Sequence, residues 1–112
     1  MVFLLLLSLV LPVVAAPRDP IPTPIMRSVE PRNARAGDQV TVTGDNLGKD
    51  LVLEVYMTDR TDKIKVTVVE QNSTTIKFTV PAKIKPAKYW MMVLANFPEP
   101  LLIEQPAPLI IE

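Results

Sequence analysis

The feature that most constrains the fold is an alternation of apolar and polar side chains that begins at Ile25 and recurs along the rest of the chain. It is clearest over residues 76–80, where Ile, Phe and Val alternate with Lys and Thr. Successive side chains of a β-strand point to opposite faces of a sheet, so this period predicts half-buried strands. The helical period of about 3.6 residues is absent from this region.

The alternating stretches are short, and residues that favour turns separate them. We predict strands at 25–29, 40–43, 51–57, 63–68, 75–80 and 89–94, and one interrupted edge strand over 101–111. About seven short strands with frequent turns are typical of an all-β, immunoglobulin-like β-sandwich. An open barrel of the oligonucleotide-binding kind is the structural alternative. Such a barrel usually needs a basic, aromatic-lined face, which the alternation does not show.

The amino-terminal residues follow a different pattern. Residues 2–14 are almost wholly apolar, and two alanines follow before the first charge, which is the order of a secretory signal peptide. The apolar run is too short for a membrane span, which needs about 20 residues. We expect an exported protein, periplasmic, at the cell surface or secreted, with no stable membrane span after cleavage. The expected divisions are a cleaved signal peptide over 1–15, a proline-rich leader over 16–23 and a domain over 24–112.

Specific motifs resemble those of a known family, the TIG or IPT domains. The runs 24–31 and 36–47 resemble the opening half of these domains, and 75–81 and 89–93 resemble the closing half. The resemblance covers roughly residues 22–112 and implies an immunoglobulin-like sandwich of the E-set type. TIG domains occur in cell-surface receptors, in transcription factors and in bacterial exported proteins, including accessory modules of polysaccharide-acting enzymes. The resemblance therefore implies a fold more than an activity.

Single positions in these motifs have physical interpretations. Gly37 permits the turn into the second strand, and Gly44 permits a positive φ where that strand ends. Leu47 is expected to close one end of the sandwich. Tyr89 stands where immunoglobulin-like domains often use a tyrosine corner, whose hydroxyl bonds to upstream backbone. Ala87 takes the place of a glycine common in the family, and it would be strained if that turn required a positive φ.

The residue types argue against catalysis. The chain contains no His and no Cys, which removes the commonest general base and the thiolate nucleophile. Asp45 with Asp50, or Asp59 with Asp62, could form a carboxylate pair, but Asp in such turns usually bonds nearby backbone. The loop 44–50 is the richest in oxygen ligands, yet it contains a lysine that opposes a cation. We predict no enzyme, no catalytic residue, no metal and no cofactor.

The charge balance also limits the choice of partners. Twelve basic residues balance twelve acidic ones, so the molecule has no overall field that attracts nucleic acid, and we predict no nucleic-acid partner. Lys83, Lys85 and Lys88 form a basic loop that we interpret as solvated surface. Residues 72–74 match a glycosylation sequon and lie on a predicted turn. We interpret the Asn and Ser as ordinary turn residues.

The most informative pattern lies on the third and sixth predicted strands, which are neighbours in a TIG-type sandwich. If each strand buries alternate residues, the others form one outer patch that contains the only Trp of the chain. The predicted inward set is Leu53, Val55, Met57, Tyr89, Met91 and Val93. The predicted outward set, and the candidate interface, is Val52, Tyr56, Trp90, Met92 and Leu94.

Two outcomes are open for this patch. Trp and Tyr each offer about 150–250 Å², so the patch is an interaction surface if it is exposed, whereas the leader, Phe97 or the last strand could instead cover it. The leading hypothesis is a non-catalytic, exported binding module that contacts another protein or a second copy of itself. The alternative is a carbohydrate-binding accessory module in which Trp90 and Tyr56 stack on sugar rings.

Overall fold

The computed structural model describes residues 22–112, so the predicted signal peptide and most of the predicted leader lie outside it. Within these residues the chain forms nine strands, and no helix long and apolar enough to cross a membrane is found there. The strands are β1 (Ile25–Glu30), β2 (Asn33–Ala34), β3 (Gln39–Asp45), β4 (Val52–Thr58), β5 (Lys63–Lys65), β6 (Thr67–Gln71), β7 (Thr75–Thr79), β8 (Ala87–Ala95) and β9 (Leu101–Ile111).

The strands form two sheets packed face to face. The four-stranded sheet has the order β1-β3-β7-β6, and the five-stranded sheet has the order β2-β9-β8-β4-β5. The short pairing of β2 with β9 is parallel, and the other pairings are antiparallel. This distribution of strands between two sheets is that of immunoglobulin-like domains. The predicted all-β sandwich is confirmed, and the two sheets do not close into the alternative barrel.

The core lies between the sheets and uses the alternating positions of the central strands. Val40 and Val42 of β3 and Ile76 and Phe78 of β7 are fully buried. The predicted inward residues of β8 are buried as well: Tyr89, Met91 and Val93. Each large apolar side chain contributes about 1.5–3 kcal/mol when fully buried. Packing of this kind holds the sandwich together in a chain that has no Cys.

The fourth predicted strand is in fact two strands that belong to different sheets. β5 pairs with β4 in one sheet, and β6 pairs with β7 in the other. Val66 lies between them and is buried, and its N–H donates to the carbonyl of Val55 at 3.0 Å. The chain therefore crosses from one sheet to the other at Val66 without losing the backbone hydrogen bond there. This crossing, together with the two-residue β2, accounts for nine strands where the alternation predicts about seven.

The predicted orientation of the first half of β4 is wrong. Val52, expected on the outer face, is buried with 1% of its surface exposed, whereas Leu53, expected in the core, is 45% exposed. The pairing of β4 with β8 shifts register between Val52 and Glu54. A β-bulge inserts one residue into a strand and thereby reverses the phase of the alternation. Val55 and Met57, beyond the bulge, point inward as predicted.

Two glycines of the TIG-like motif are required for different reasons. Gly37 has φ +88, and its N–H donates to the carbonyl of Val80 at 2.9 Å, as a turn into β3 requires. Gly44 does not have the positive φ that the sequence suggested. A Cβ at this position would lie 1.9 Å from the carbonyl oxygen of Ile25. Gly44 therefore allows β1 to approach β3 closely, and the positive φ falls instead on Asn46, at 60.

Leu47, expected to close one end of the sandwich, is buried, and the predicted tyrosine corner is present. Leu47 is fully buried, and its N–H donates to the carbonyl of Ser73 at 2.9 Å. The hydroxyl of Tyr89 donates to the carbonyl of Lys85 at 2.8 Å, and burial raises the pKa of this phenol above its ordinary value. Ala87 is not among the residues with positive φ, so the exchange of glycine for alanine introduces no strain of that kind.

The last strand runs continuously from Leu101 to Ile111, so the predicted break in the strand itself is wrong. The edge position holds for most of its length among the described residues, because the two-residue β2 pairs only with Ile110 and Ile111. The pairing of β9 with β8 shifts register opposite Trp90 and Met92, where the two prolines of β9 fall.

Gln105 lies within the shifted segment, between Glu104 and Pro108, and is 2% exposed. Its Oε1 accepts from the N–H of Met26 at 2.7 Å, and its Nε2 donates to the carbonyl of Pro24 at 3.4 Å. Gln105 therefore ties the start of β1 to the opposite sheet.

Candidate binding surface

Four of the five predicted interface residues lie together on the outer face of the five-stranded sheet. Tyr56 of β4 and Trp90, Met92 and Leu94 of β8 are half-buried and alternate with the buried core residues. We call these four side chains the aromatic face. Val52 is not part of it, because the bulge in β4 turns this residue into the core.

The register of the strands places these side chains in rows. Met92 lies opposite Tyr56 on one side and Glu104 on the other. Trp90 lies opposite Thr58, and Leu94 lies opposite Glu54. Directly opposed residues of an antiparallel pair share a face and touch. The aromatic face is therefore a fixed arrangement on paired strands, bordered by carboxylates on both sides.

A cation from the turn between β4 and β5 covers the indole ring. The guanidinium carbon of Arg60 lies 3.9 Å from the centroid of the Trp90 ring. A second contact holds the same group, because Arg60 Nη2 donates to Glu104 Oε2 at 3.0 Å. Cation–π contacts at exposed sites contribute about 0.5–1 kcal/mol. Arg60 thus joins the β4–β5 turn to both β8 and β9 across the outer face.

Short polar side chains determine the shape of this turn. The carboxylate of Asp59 accepts from the N–H groups of Thr61 at 2.9 Å and Asp62 at 2.7 Å. These backbone hydrogen bonds lower the pKa of Asp59. Thr58 Oγ1 accepts from the N–H of Arg60 at 2.9 Å and donates to the carbonyl of Asp62 at 2.7 Å. Arg60 itself has φ 75, so the turn holds it in a left-handed conformation that directs its side chain towards β8.

Two lysines complete the cationic cover. Lys88 Nζ lies 5.2 Å from the centroid of the Trp90 ring, and Lys63 Nζ lies 4.8 Å from that of Tyr56. The sequence left open whether the rings of Trp90 and Tyr56 are exposed or covered, and the structure shows a state between the two. The rings are half-buried, and charged side chains of the same sheet lie over them.

An ion pair fixes the orientation of Tyr56. Its hydroxyl donates to one carboxylate oxygen of Glu54, and Lys65 Nζ donates to the other at 2.9 Å. The hydrogen bond from Tyr56, followed by that from Lys65, lowers the pKa of Glu54. The same hydrogen bond raises the pKa of Tyr56, because the phenolate would lie beside a carboxylate. At neutral pH the Glu54 carboxylate therefore lies between the neutral phenol of Tyr56 and the ammonium group of Lys65.

Three other candidates from the sequence have structural roles. Asp45 pairs with Arg27 on the opposite sheet, and Asp59 is engaged by the turn described above. Asn72 Oδ1 accepts from the N–H groups of Thr74 at 3.0 Å and Thr75 at 2.9 Å, as expected of a turn residue. Across residues 22–112, no three acidic, His or Cys side chains come together as a metal site would require.

Sequence reasoning missed the three cations over the rings. The alternation places Lys63 on the solvent side of its strand, but it does not indicate that this side chain meets the ring of Tyr56. The sequence predicts a turn over residues 59–62, yet nothing in its pattern indicates the positive φ of Arg60. Only the pairing of β4 with both β5 and β8 brings this turn beside Trp90.

Comparison with solved structures shows the same fold in much longer proteins. The mixed-linkage glucan utilization locus protein SGBP-B of Bacteroides ovatus, in complex with a mixed-linkage heptasaccharide, is 19% identical with a TM-score of 0.50, and the match covers 72% of this chain and 21% of that chain. An auxiliary nutrient binding protein of Bacteroides ovatus is 18% identical with a TM-score of 0.59, covering 87% and 22%. A Bacteroides thetaiotaomicron protein named as a candidate phosphatase is 17% identical with a TM-score of 0.55, covering 78% and 18%.

These matches show the fold alone, since this chain spans about a fifth of the length of each protein. A search of curated protein sequences found no match. The family comparison is more specific, because the profile of the IPT/TIG domain matches residues 24–94. That range begins just before β1 and ends in β8, and it contains both glycines of the motif and the tyrosine corner. The chain belongs to the IPT/TIG domain family.

Proposed function

We propose that this protein is an exported, non-catalytic binding module that contacts a protein partner through its aromatic face. One observation supports this most directly: Trp90, Tyr56 and Met92 stand side by side on paired strands with Arg60 in contact. Trp, Tyr and Arg dominate the energetics of protein interfaces, and Met is enriched at their centres. Rigid strands also limit the entropy that these side chains lose on binding.

The non-catalytic part of the proposal rests on residue chemistry. The chain has no His or Cys, and one Asp of each pair considered for acid-base chemistry is engaged, since Asp45 pairs with Arg27 and Asp59 accepts hydrogen bonds within its own turn. General acid–base catalysis needs a side chain that is free to exchange a proton with the substrate. Export rests on the apolar run and the small residues that follow it at the amino terminus. Mass spectrometry of the protein from its native source tests cleavage after residue 15.

Carbohydrate binding is the second candidate, and one specific observation favours it. One protein of similar fold is known in complex with a mixed-linkage heptasaccharide, and the outer face here carries both a Trp and a Tyr. Against this candidate, a sugar stacking on Trp90 would have to displace Arg60, which lies 3.9 Å from the ring centroid. Displacement would also break the ion pair of Arg60 with Glu104. A protein partner can bind the cation and the ring together.

Site-specific photo-cross-linking tests the protein contact. A photoreactive amino acid replaces Met92 at the centre of the face, and a matched variant carries it at Lys77 on the opposite sheet. We expect a discrete cross-linked protein from position 92 that position 77 does not give. Affinity electrophoresis in gels containing mixed-linkage glucan tests the alternative. Retardation of the protein that is lost in Trp90→Ala, without a cross-link from position 92, would overturn the protein contact in favour of sugar.

A further inference from the structure

We propose that the aromatic face recognises an acidic protein segment, that is, a partner surface bearing clustered Asp or Glu side chains. This inference rests on the proposed function and adds the chemistry of the partner. It starts from the charges that border the aromatic face. The cations are Arg60, Lys63, Lys65 and Lys88, and the carboxylates in the same rows are Glu54 and Glu104. These four cations outnumber the two carboxylates of the rows, while the turn that carries Arg60 also contains Asp59 and Asp62 and the whole chain is neutral.

Both carboxylates are already engaged within the face. Glu54 accepts from Tyr56 and Lys65, and Glu104 accepts from Arg60. By contrast, Lys63 and Lys88 contact the aromatic rings, and neither forms an ion pair with a carboxylate in the described part of the chain. The positive charge that remains for a partner is therefore concentrated over the rings, where a bound segment would exclude water and strengthen the attraction.

Arg60 is prepared for a second carboxylate. A guanidinium has five N–H donors in a planar fork, and only one of its nitrogens, Nη2, contacts Glu104. Hydrogen bonds of the turn hold the backbone of Arg60 in a left-handed conformation, and Trp90 supports the head group from below. A side chain held in this way loses less entropy when it binds. Bidentate recognition of a carboxylate is the chemistry for which such a held fork is suited.

Other occupants fit the face less well. A second copy of this chain would bring Lys63 and Lys88 of two faces together, and like charges across an interface oppose association. A neutral sugar could accept hydrogen bonds from the cations but has no charge for them to attract, and it would have to displace Arg60 to stack on Trp90. An acidic segment would bind the lysines and Arg60 where they stand while its apolar groups cover Met92 and Leu94. Charge complementarity therefore selects an acidic protein partner.

The single tryptophan makes the test specific to the site, because Trp90 is the only indole in the chain. The protein is titrated with an oligoglutamate peptide, an oligolysine peptide of equal length and polygalacturonate, and Trp90 emission is followed. We expect a saturable change with oligoglutamate that weakens as salt is added. We expect Arg60→Gln to lower the association constant about tenfold, the usual effect of losing one charge-assisted hydrogen bond. Lys77→Gln on the opposite sheet is the control and should leave it unchanged.

Each other outcome overturns the inference. Equal binding of oligolysine, or an equal loss in Lys77→Gln, would show that charge on this face does not select the partner. Binding of polygalacturonate without oligoglutamate would replace the acidic protein with an anionic polysaccharide. If oligoglutamate leaves Trp90 emission unchanged while position 92 still gives a cross-link, the preference for acidic partners is overturned and the proposed function stands. Loss of both signals would overturn both proposals.

Discussion

Arg60 and Trp90 are joined across the outer face of the sandwich, with the guanidinium carbon 3.9 Å from the centroid of the indole ring. Arg60 comes from the turn after β4 and Trp90 from the middle of β8, so the contact links a turn to a neighbouring strand. The turn holds Arg60 at φ 75. A left-handed conformation costs a residue other than glycine about 1–2 kcal/mol. The contact therefore exists in spite of a local backbone cost.

Replacing Arg60 by Ala and by Gly separates these two effects. Both changes remove the guanidinium, so we expect acrylamide to quench Trp90 fluorescence more strongly in both variants than in the parent. Glycine adopts a positive φ without a steric cost, so we expect Arg60→Gly to be more stable than Arg60→Ala by about 1 kcal/mol. Urea denaturation measures this difference. Unchanged quenching would contradict the contact, and equal stability of the two variants would contradict the cost of the left-handed backbone.

Tyr56 should titrate late because its hydroxyl donates to Glu54. The pKa of Tyr56 is raised, so the stability from its neutral form is complete below about pH 10, the ordinary value, and is lost as the pH rises through the raised value. We expect Glu54→Gln to lower the pKa of Tyr56, as measured by ultraviolet absorbance. The difference from Tyr56→Phe separates this signal from that of Tyr89, the only other tyrosine in the chain. Glu104→Gln is the control and should not change the titration of Tyr56.

The hydrogen bond between Tyr56 and Glu54 also predicts that stability changes with pH in acid, in the opposite direction. The pKa of Glu54 is lowered by its hydrogen bonds with Tyr56 and then Lys65. Its contribution to stability is therefore present above about pH 4.3, the ordinary value for Glu, and is lost as the pH falls through the lowered value. We expect the difference in denaturation midpoint between the parent and Glu54→Gln to vanish in strong acid. A difference that persists there would mean that the carboxylate charge is not responsible.

The strands that could be predicted from sequence are those whose alternation runs without interruption. β7 and β8 lie in the middle of their sheets, so one face of each is buried along its length and the period of two predicts every inward residue correctly. β4 is also rich in apolar residues, but a bulge between Val52 and Glu54 shifts the phase of its alternation. The position of the bulge depends on how β4 pairs with β8, and a single strand does not contain that information.

The binding surface shows the same division. The outward residues of β8 follow from the period, whereas the cations over the rings depend on the β4–β5 turn and on which strands become neighbours. Arg60 reaches Trp90 because Thr58 and Asp59 bond the backbone of that turn. Gly44 is a similar case, since the need for glycine arises from the approach of Ile25 in another strand. Contacts between strands distant in sequence decide these features, and local pattern does not encode them.

The bulge in β4 is tested by a pair of adjacent alanine substitutions. Val52 is 1% exposed and Leu53 is 45% exposed. We expect Val52→Ala to lower the free energy of unfolding by about 2 kcal/mol, through lost burial and the cavity left behind. We expect Leu53→Ala to change it by about 0.5 kcal/mol or less, as is usual for surface positions. The reverse order in urea denaturation would restore the uninterrupted alternation and place Val52 back on the outer face.

Alanine at Gly44 and at Gly37 should have very different costs. At Gly44 a Cβ would lie 1.9 Å from the backbone oxygen of Ile25, so β1 must move away from β3. We expect a loss of about 4 kcal/mol or more, or failure to fold. At Gly37 nothing lies within 4 Å of the added Cβ, and the cost is that of φ +88 alone, about 1–2 kcal/mol. Similar costs for the two variants, measured by urea denaturation, would contradict the close approach of the strands.

Gln105 offers a test of how the two sheets are joined. Its Oε1 accepts from the N–H of Met26, and its side chain is almost wholly buried. Gln105→Leu leaves this N–H without its partner, so we expect a loss of about 1–3 kcal/mol that does not depend on pH. Faster hydrogen exchange at the N–H of Met26 should accompany it. Equal exchange in the parent and the variant would mean that Gln105 does not protect that group.

Gln105→Glu should behave differently because it places a carboxyl group in the same buried position. Burial disfavours the charged form and would raise the pKa of this carboxyl group above about 4.3, the ordinary value. The variant is therefore most stable below that value and loses stability as the pH rises through the raised one. Gln39→Glu, at an exposed position of β3, is the matched control and should show no such loss. If both variants respond equally to pH, the position of Gln105 between the sheets is not what makes its charge costly.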